Sequence, residues 1–335
     1  MGATVKARAL VATAVHQVEV REVELPRPGA GEVLVEALYT CISPGTELRC
    51  LSGQQRGASF PCILGYAMVG RVVRAGAESG VAEGSVAFLM GSDHGGGISL
   101  SWGGHMSHAV CKADKLLPIP DGVDLVQAAA SKMASIPYHG LRLCHPLPEE
   151  KVAVIGLGAV GHMAAKLYTM AGAQTAGCDV SPRRVEQARG AGIDGLCAKD
   201  SLKETFAEVF PDGVDAVVDC TGVPSVFPKA IEVCRDVPWG NHQLRGPRYI
   251  VQGSYPDLFT VPYGPAFMRE VSIIFPRSEQ ERDRVVVFDL IKRGTLTLTS
   301  VISDVCKPST AAKVYDALRD PATNLMTVVF DWTSS

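Results

Sequence analysis

Residues 151–179, KVAVIGLGAVGHMAAKLYTMAGAQTAGCD, limit the possible folds of this chain more than any other stretch. The segment opens on Val152, Val154 and Ile155, a short apolar run rich in β-formers. The turn Gly156, Leu157, Gly158, Ala159, Val160, Gly161 follows, and after it a run of helix formers with Met163, Leu167 and Met170 at helical spacing. The chain then returns to a strand that ends on Asp179. Strand, glycine turn, helix, strand and acid in that order predict a βαβ unit that binds a dinucleotide. Gly156 permits the tight turn, Gly158 lets the backbone approach a pyrophosphate, and Gly161 lets the helix pack on its strand. Free N–H groups at the helix start, around Ala159 and Val160, attract the phosphate charge. Glycine turns that bind nothing also carry GxGxxG, but here the flanking elements and an acid about twenty residues further on complete the pattern.

Asp179 bears on which dinucleotide is bound. A carboxylate at the end of the second strand accepts hydrogen bonds from a free ribose 2′-OH and repels a 2′-phosphate, which favours NAD(H) over NADP(H). Val180 and Arg184 share this end of the site. Arg183 and Arg184, in DVSPRR, keep a second reading open, in which an arginine reaches a phosphate. Otherwise they are first-turn helix residues, one of them packing along the adenine.

At 335 residues the chain is expected to form two domains, each burying its own core. Its 47% hydrophobic and 20% charged residues describe an ordinary globular protein, and a net charge of −3 gives no reason to expect nucleic acid or an anionic membrane as partner. No apolar run reaches the length of a membrane span, and MGATVKARALVATAV lacks the apolar core of a signal peptide, so a cytoplasmic location is expected. The ten cysteines are scattered with no CxxC pair, several of them inside apolar runs (Cys62, Cys178, Cys220, Cys234). That usage fits reduced core thiols and argues against a disulfide framework or a clustered structural zinc.

Residues 1 to about 125 read as short β segments divided by turns such as LPRPGAGE and LPIPDGV, the pattern of a partly barrel-like β domain. LVQAAASKMASIPYHGLRL then predicts an Ala-rich helical run leading to the glycine strand. Beyond Asp179, SPRRVEQARGAG is a helix with Ser181 as cap and Pro182 just inside. A strand over 214–222, a helix over 226–234, and strands RYIVQG and VSIIF follow, and their alternation implies a doubly wound parallel sheet. RVVVFDLIKRG (helix), a strand over 300–303, STAAKVYDALRD (helix) and LMTVVFDW (strand) are expected to complete the N-terminal domain.

This order of parts resembles the medium-chain dehydrogenase/reductase family of alcohol and polyol dehydrogenases over nearly the whole chain. The resemblance rests on GEVLVEALYTCISPGTELRCLSG for the catalytic loop, LGYAMVGRVV for the second metal-ligand segment, GGHMSHAVCKADKLLPIPDGV, and GLGAVG with Asp179. It implies an α/β protein: a GroES-like β-barrel-type catalytic domain, residues 1–125 and 277–335, plus a doubly wound Rossmann domain, 126–276. It implies hydride transfer between nicotinamide C4 and a carbon bearing oxygen, with a small-molecule substrate in the cleft between the domains. Further cofactor contacts implied in this way are Cys220 and Thr221, Gln252, Gly253 and Ser254, Phe275 to Arg277, and Arg49 at a ribose or pyrophosphate. Dimerisation through VSIIF, an edge strand, is also implied; the other reading is a monomer whose C-terminal segment covers that edge.

Zinc-dependent members hold their metal through a loop cysteine, a His-Glu pair and a further Cys or Glu. In this chain those positions carry Pro44, Tyr66, Ala67 and Lys132. Proline and alanine offer no ligand and an ammonium repels a dication, so no zinc is expected; Cys41 and Cys50 lie near enough to substitute under another register. Without a metal, the oxygen of a carbonyl under reduction needs another source of charge stabilisation and a proton. Tyr66 is suited to be general acid/base, with Lys132 lowering its pKa. The alternative is that the Tyr66 ring merely fills the metal cavity while Lys132 makes a surface ion pair. Thr46 stands where the family places a relay hydroxyl, or else caps the loop, and Glu47 braces it. His105 and His94 read as solvated loop residues, with lining of the cleft as the other reading, His139 as a packing residue, and His162 as facing the phosphates.

The loop ISPGTE and the GY that replaces GHE are similar to the bacteriochlorophyllide dehydrogenase branch and to secondary-metabolite relatives. The expected reaction is interconversion of a secondary alcohol and a ketone on a sugar, cyclitol or secondary-metabolite substrate. Enoyl or quinone reduction is the first alternative, and a non-catalytic dinucleotide-binding protein the second.

Overall fold

Alternating apolar and polar residues in VKARALVATA and QVEVREVEL set one face of each strand against a core and the other toward solvent. The protein is described here by a computed structural model covering residues 4–55, 57, 59–240, 245–255, 258–323 and 325–333. In chain order, β1 (Val5–Ala14), β2 (Gln17–Leu25) and β3 (Glu32–Cys41) lead to helix α1 (Pro44–Leu51). Then come β4 (Cys62–Ile63), β5 (Met68–Ala75), β6 (Val86–Leu89), β7 (Ser99–Leu100), β8 (His108–Lys112) and β9 (Leu117–Pro118). Helices α2 (Leu125–Ala129) and α3 (Lys132–Cys144) precede β10 (Lys151–Ile155), α4 (Ala159–Met170), β11 (Gln174–Asp179) and α5 (Pro182–Gly190). The series continues with β12 (Asp194–Cys197), α6 (Leu202–Ala207), β13 (Ala216–Asp219), α7 (Val226–Ala230), β14 (Arg248–Val251), α8 (Tyr263–Met268) and β15 (Ser272–Ile274). It closes with α9 (Glu281–Lys292), β16 (Ile302–Cys306), α10 (Ala311–Arg319) and β17 (Thr327–Asp331).

The chain divides into two compact units, Met1–Lys132 with Val285–Ser335, and Met133–Arg284. The first contains the sheet β2-β1-β4-β7 and the sheet β16-β17-β3-β5-β6-β9, with β8 also paired to β3. Leu10, Val33, Val35, Ile63, Met68, Val110 and Phe330 are among its buried core residues. This is the GroES-like domain. In the second unit six parallel strands run in the order β12-β11-β10-β13-β14-β15. Successive residues of its central strands serve opposite faces. Ala153, Ile155 and Val217 enter one core, Val152, Val154 and Val218 the other, which is why these strands read as unbroken apolar runs. Crossover helices cover both faces of this Rossmann-type sheet, and β15 lies at its edge.

The unit boundaries fall later than the expected 125/126 and 276/277. Helix α2 packs on β3 and β5 and so belongs with the first unit. Residues 279–284 are tied to α3 instead. Arg142 Nε lies 2.6 Å from the wholly buried Asp283, and Ser135 Oγ donates to Glu279 at 2.5 Å. The anticipated single helix after Leu125 is two, parted at Ala130 and Ser131. The ISPGTE loop is a helix, α1, with Ser43 at its N-cap and Pro44 in the first turn. Elements β12, α6 and α8 were not anticipated, the helix over 226–234 shortens to α7 and a 3-10 turn, and β16 starts later than 300 because its register is set by β17. No helix among the described residues is long and apolar enough to cross a membrane.

Candidate active site

The glycine turn between β10 and α4 has the geometry its sequence demands. Gly156 adopts φ +87, a conformation L side chains rarely take. A Cβ on Gly161 would lie 1.7 Å from Gly156 O, so helix and turn approach each other closer than any other residue allows. Gly158, the N-cap of α4, has open space where its Cβ would stand, which leaves the first-turn N–H groups of Ala159 and Val160 approachable. These residues fit a pyrophosphate. Asp179, only 5% exposed, accepts from Leu157 N at 2.8 Å and Ser181 N at 2.9 Å, which fixes its carboxylate at the tip of β11. Val180 next to it is exposed, and Arg184 Nη1 comes to 3.7 Å of Asp179.

Cys220 and Thr221 leave β13 beside this turn; the Gly156 Cβ position is 3.1 Å from Thr221 Cγ2, and that of Gly161 is 3.2 Å from Cys220 Cβ. Asp219 holds the loop by accepting from Thr221 N at 2.9 Å and Thr221 Oγ1 at 2.7 Å. Its second oxygen accepts from Tyr249 Oη at 2.7 Å and from Tyr255 Oη. Gly253 N donates to Asp219 O at 2.7 Å, and Ser254 O closely approaches Gly222. The second unit thus gathers the glycine turn, Asp179, Cys220, Thr221, Gly253 and Ser254 at the carboxyl ends of its strands, where ligands bind such sheets. Phe275 lies exposed beyond β15. Arg49 sits on α1 in the other unit, half-buried. His162 was expected to face the phosphates, but it is fully buried in α4, and neither ring nitrogen has a hydrogen-bond partner among the described residues. Burial, with a smaller contribution from the Lys166 charge, pushes its pKa down to about 4. His139 is buried with Nδ1 3.0 Å from Asp283.

In the first unit, Tyr66 follows Gly65 just before β5, and α1 aims its N-terminal residues at the same place. The phenol hydroxyl is hydrogen-bonded to Ser43 Oγ, and to Thr46 Oγ1 at 3.2 Å. Lys132 Nζ stands 4.7 Å from the centroid of the Tyr66 ring, a cation–π contact, with both residues nearly buried. The alternative reading of Lys132 as a surface residue does not hold, since only 2% of it is exposed. Trp102 meets the Tyr66 ring edge to face at 5.1 Å. Ser43 was missed from the sequence, although Ser-Pro ahead of a helical stretch is a capping signal that places such a hydroxyl.

Beneath this cluster runs a buried polar network. Glu47, wholly inaccessible, accepts from Ser43 N at 2.7 Å. Its other oxygen contacts His105 Nε2 at 3.0 Å and accepts from Tyr315 Oη at 2.5 Å. His105 Nδ1 reaches Thr40 Oγ1 at 2.8 Å, which in turn accepts from Trp332 Nε1 at 2.9 Å. The reading of His105 as a solvated loop residue is corrected: its ring partners Thr40, Glu47 and Phe330 come from three distant segments, and it is 0% exposed. His94, half-exposed, pairs with Glu32 at 3.1 Å. Cys41 and Cys50 are buried thiols whose pKa values burial pushes up to about 12, so neither is available as a thiolate. Among the described residues no group of three or more His, Cys, Asp and Glu could hold a metal ion.

A glycine cradle at the carboxyl ends of a parallel sheet, in a chain that also carries a GroES-like unit with a hydroxyl cluster, defines a dinucleotide-binding oxidoreductase. Family models agree: residues 29–121 match the alcohol dehydrogenase GroES-like domain, and 159–237 the zinc-binding dehydrogenase domain. The chain is 24% identical over 338 residues to the 2-desacetyl-2-hydroxyethyl bacteriochlorophyllide A dehydrogenase of Cereibacter sphaeroides, covering 98% of each. Among solved structures, a putative zinc-binding dehydrogenase from Sinorhizobium meliloti 1021 bound to NADP superposes with TM-score 0.83 at 21% identity, over 98% of this chain and 99% of that one. An alcohol dehydrogenase from E. coli CFT073 complexed with NADH gives 0.83 at 19%, over 97% and 99%. The chain belongs to the medium-chain dehydrogenase/reductase family, alcohol dehydrogenase-like.

Proposed function

We propose that this chain is a zinc-independent, NAD(H)-linked oxidoreductase that interconverts a secondary alcohol and a ketone on a sugar, cyclitol or secondary-metabolite skeleton. The observation that carries the reading is the Tyr66 phenol, hydrogen-bonded to Ser43 and Thr46 with the Lys132 ammonium over its ring. Pro44, Tyr66, Ala67 and Lys132 are a poor donor set for a dication, and the cation already present would oppose one. The nicotinamide, when bound, supplies or accepts hydride at C4. In reduction, as hydride adds to the carbonyl carbon, the π pair moves to oxygen and the Tyr66 hydroxyl gives that oxygen its proton. The resulting phenolate is stabilised by Lys132 and takes a proton back through Ser43 or Thr46, whose hydroxyl is replenished from water. Oxidation runs the same path in reverse. NAD(H) is favoured because the fixed Asp179 carboxylate suits a ribose 2′-OH. The Cereibacter relative, whose name specifies a hydroxyethyl-bearing substrate, supports an alcohol as the reacting group.

The free state of all ten cysteines supports a reducing, cytoplasmic setting. The edge position of β15 supports a homodimer paired through that strand. An alcohol, ketone and enone panel with NADH and NADPH, run beside elemental analysis, tests the reading. Turnover of ketones with NADH and no stoichiometric zinc is expected. Turnover confined to enones would favour an enoyl reductase, and tight NADH binding without turnover a sensor.

A further inference from the structure

Trp102 combines three properties seldom found together. Its backbone is left-handed, φ +69, a region that bulky residues avoid unless the surroundings hold them there. Those surroundings are main chain: Ser92 N donates to Gly103 O at 3.1 Å, Gly104 N donates to Gly65 O at 2.7 Å, and Trp102 O packs so near Gly91 that a Cβ there would lie 2.2 Å away. The indole so held remains 37% exposed instead of joining the core. Third, its ring meets Tyr66, the residue assigned to the reacting oxygen, at 5.1 Å and 66°.

A strained, rigid and exposed aromatic beside the proton donor is a recognition surface. We propose that Trp102 is a specificity-determining residue that bears the ring of a ring-bearing secondary alcohol or ketone while the substrate oxygen bonds to Tyr66. The indole and the phenol are neighbours, with ring centroids 5.1 Å apart, so a substrate whose oxygen accepts from the phenol at about 2.8 Å is bound next to the indole. A flat or saturated ring covers the indole, whereas a short acyclic chain covers little of it. The inference rests on the reading of Tyr66 above, and the test separates the two.

Acetophenone serves as flat-ring probe, cyclohexanone as saturated-ring probe and 2-butanone as acyclic control, each reduced with NADH by wild type, Trp102→Ala and Trp102→Phe. In Trp102→Ala, kcat/KM for at least one ring ketone is expected to fall about tenfold or more, and that for 2-butanone by less than about threefold; Trp102→Phe recovers most of the loss. Which ring ketone suffers more identifies the kind of ring. An equal fall on all three would overturn the inference, because Trp102 would then act only by packing Tyr66. A second readout needs no turnover. In Trp239→Phe, which removes the other strongly exposed indole, emission is expected to quench on titration with cyclohexanol or 1-phenylethanol in the presence of NAD, and the quench to vanish when Trp102→Phe is added. Quenching without turnover of any ketone would sink the proposed reaction and keep the ring platform; no quenching with either alcohol would sink the platform.

Discussion

Under the proposed function the glycine turn of the second unit and the hydroxyl cluster of the first both manage charge, but from different materials. Around Gly156, Gly158 and Gly161 the working groups are main-chain N–H donors, and side chains are kept out because there is no room for them. Around Tyr66 the groups concerned are side chains from α1 and its N-cap, from the residues just before β5 and from the start of α3, held by a carboxylate with no access to solvent. A main-chain site is set by local conformation. A side-chain site depends on every partner that orients it, so it fails in more ways and can be rebuilt in more ways.

That contrast is open to attack at several points. Glu47→Ala should have the largest effect, since it strips three buried donors (Ser43 N, His105 and Tyr315) of their acceptor at once. A loss of about 3–5 kcal/mol in unfolding free energy by denaturant titration is expected, with Glu47→Gln restoring only part of it because its NH2 replaces one of the two accepting oxygens. A loss under about 1 kcal/mol would mean that the network relaxes, and that the cluster is less dependent on side chains than described. Gly161→Ala should raise the Kd for NADH more than a hundredfold, equivalent to about 3 kcal/mol, because its Cβ overlaps a main-chain carbonyl that cannot rotate away. Ser43→Ala should lower kcat about tenfold and change the Kd for NADH little, since it removes one hydrogen bond to the phenol and nothing from the glycine turn.

His162 gives the smallest effect and a pH dependence. Its pKa in the fold, about 4, lies below its ordinary value of 6.5, so between those values the unfolded chain binds a proton that the folded chain does not. Stability should therefore fall as pH drops from 6.5 toward 4. His162→Leu should abolish that component, and at neutral pH should raise stability by about 1 kcal/mol by removing two unpartnered ring nitrogens from the interior. If the variant proves less stable at pH 7 and equally acid-sensitive, the helix after the glycine turn uses His162 in a way its geometry does not reveal.

The same contrast explains what could be read in advance. The glycine turn was legible because its conformation is written in consecutive residues: Gly156 because of its positive φ, Gly161 because of its closeness to Gly156, Asp179 because it closes the next strand. The parallel sheet was legible for the same reason, in apolar runs such as AVVD. The positions where zinc-dependent members hold their metal were visible only through the resemblance, and the cluster's completion was not visible at all. His105 looks like a loop residue in WGGHM because its ring partners Thr40, Glu47 and Phe330 lie from 58 to more than 200 positions away in the chain. Trp102 gave no signal either, since neither its left-handed backbone nor its contact with Tyr66 is local in sequence. Helix α1 could have been found from Ser43-Pro44 followed by Glu47, had the segment not read as a loop.

At the centre of this account is the phenol of Tyr66, taken to give the reacting oxygen the stabilisation and proton that a metal provides elsewhere in the family. Single-turnover reduction of a ketone by preloaded NADH in Tyr66→Phe measures that contribution directly, free of product release. The account predicts a rate lower by about 10²–10³ with the Kd for NADH unchanged; a rate within about twofold of wild type would contradict it.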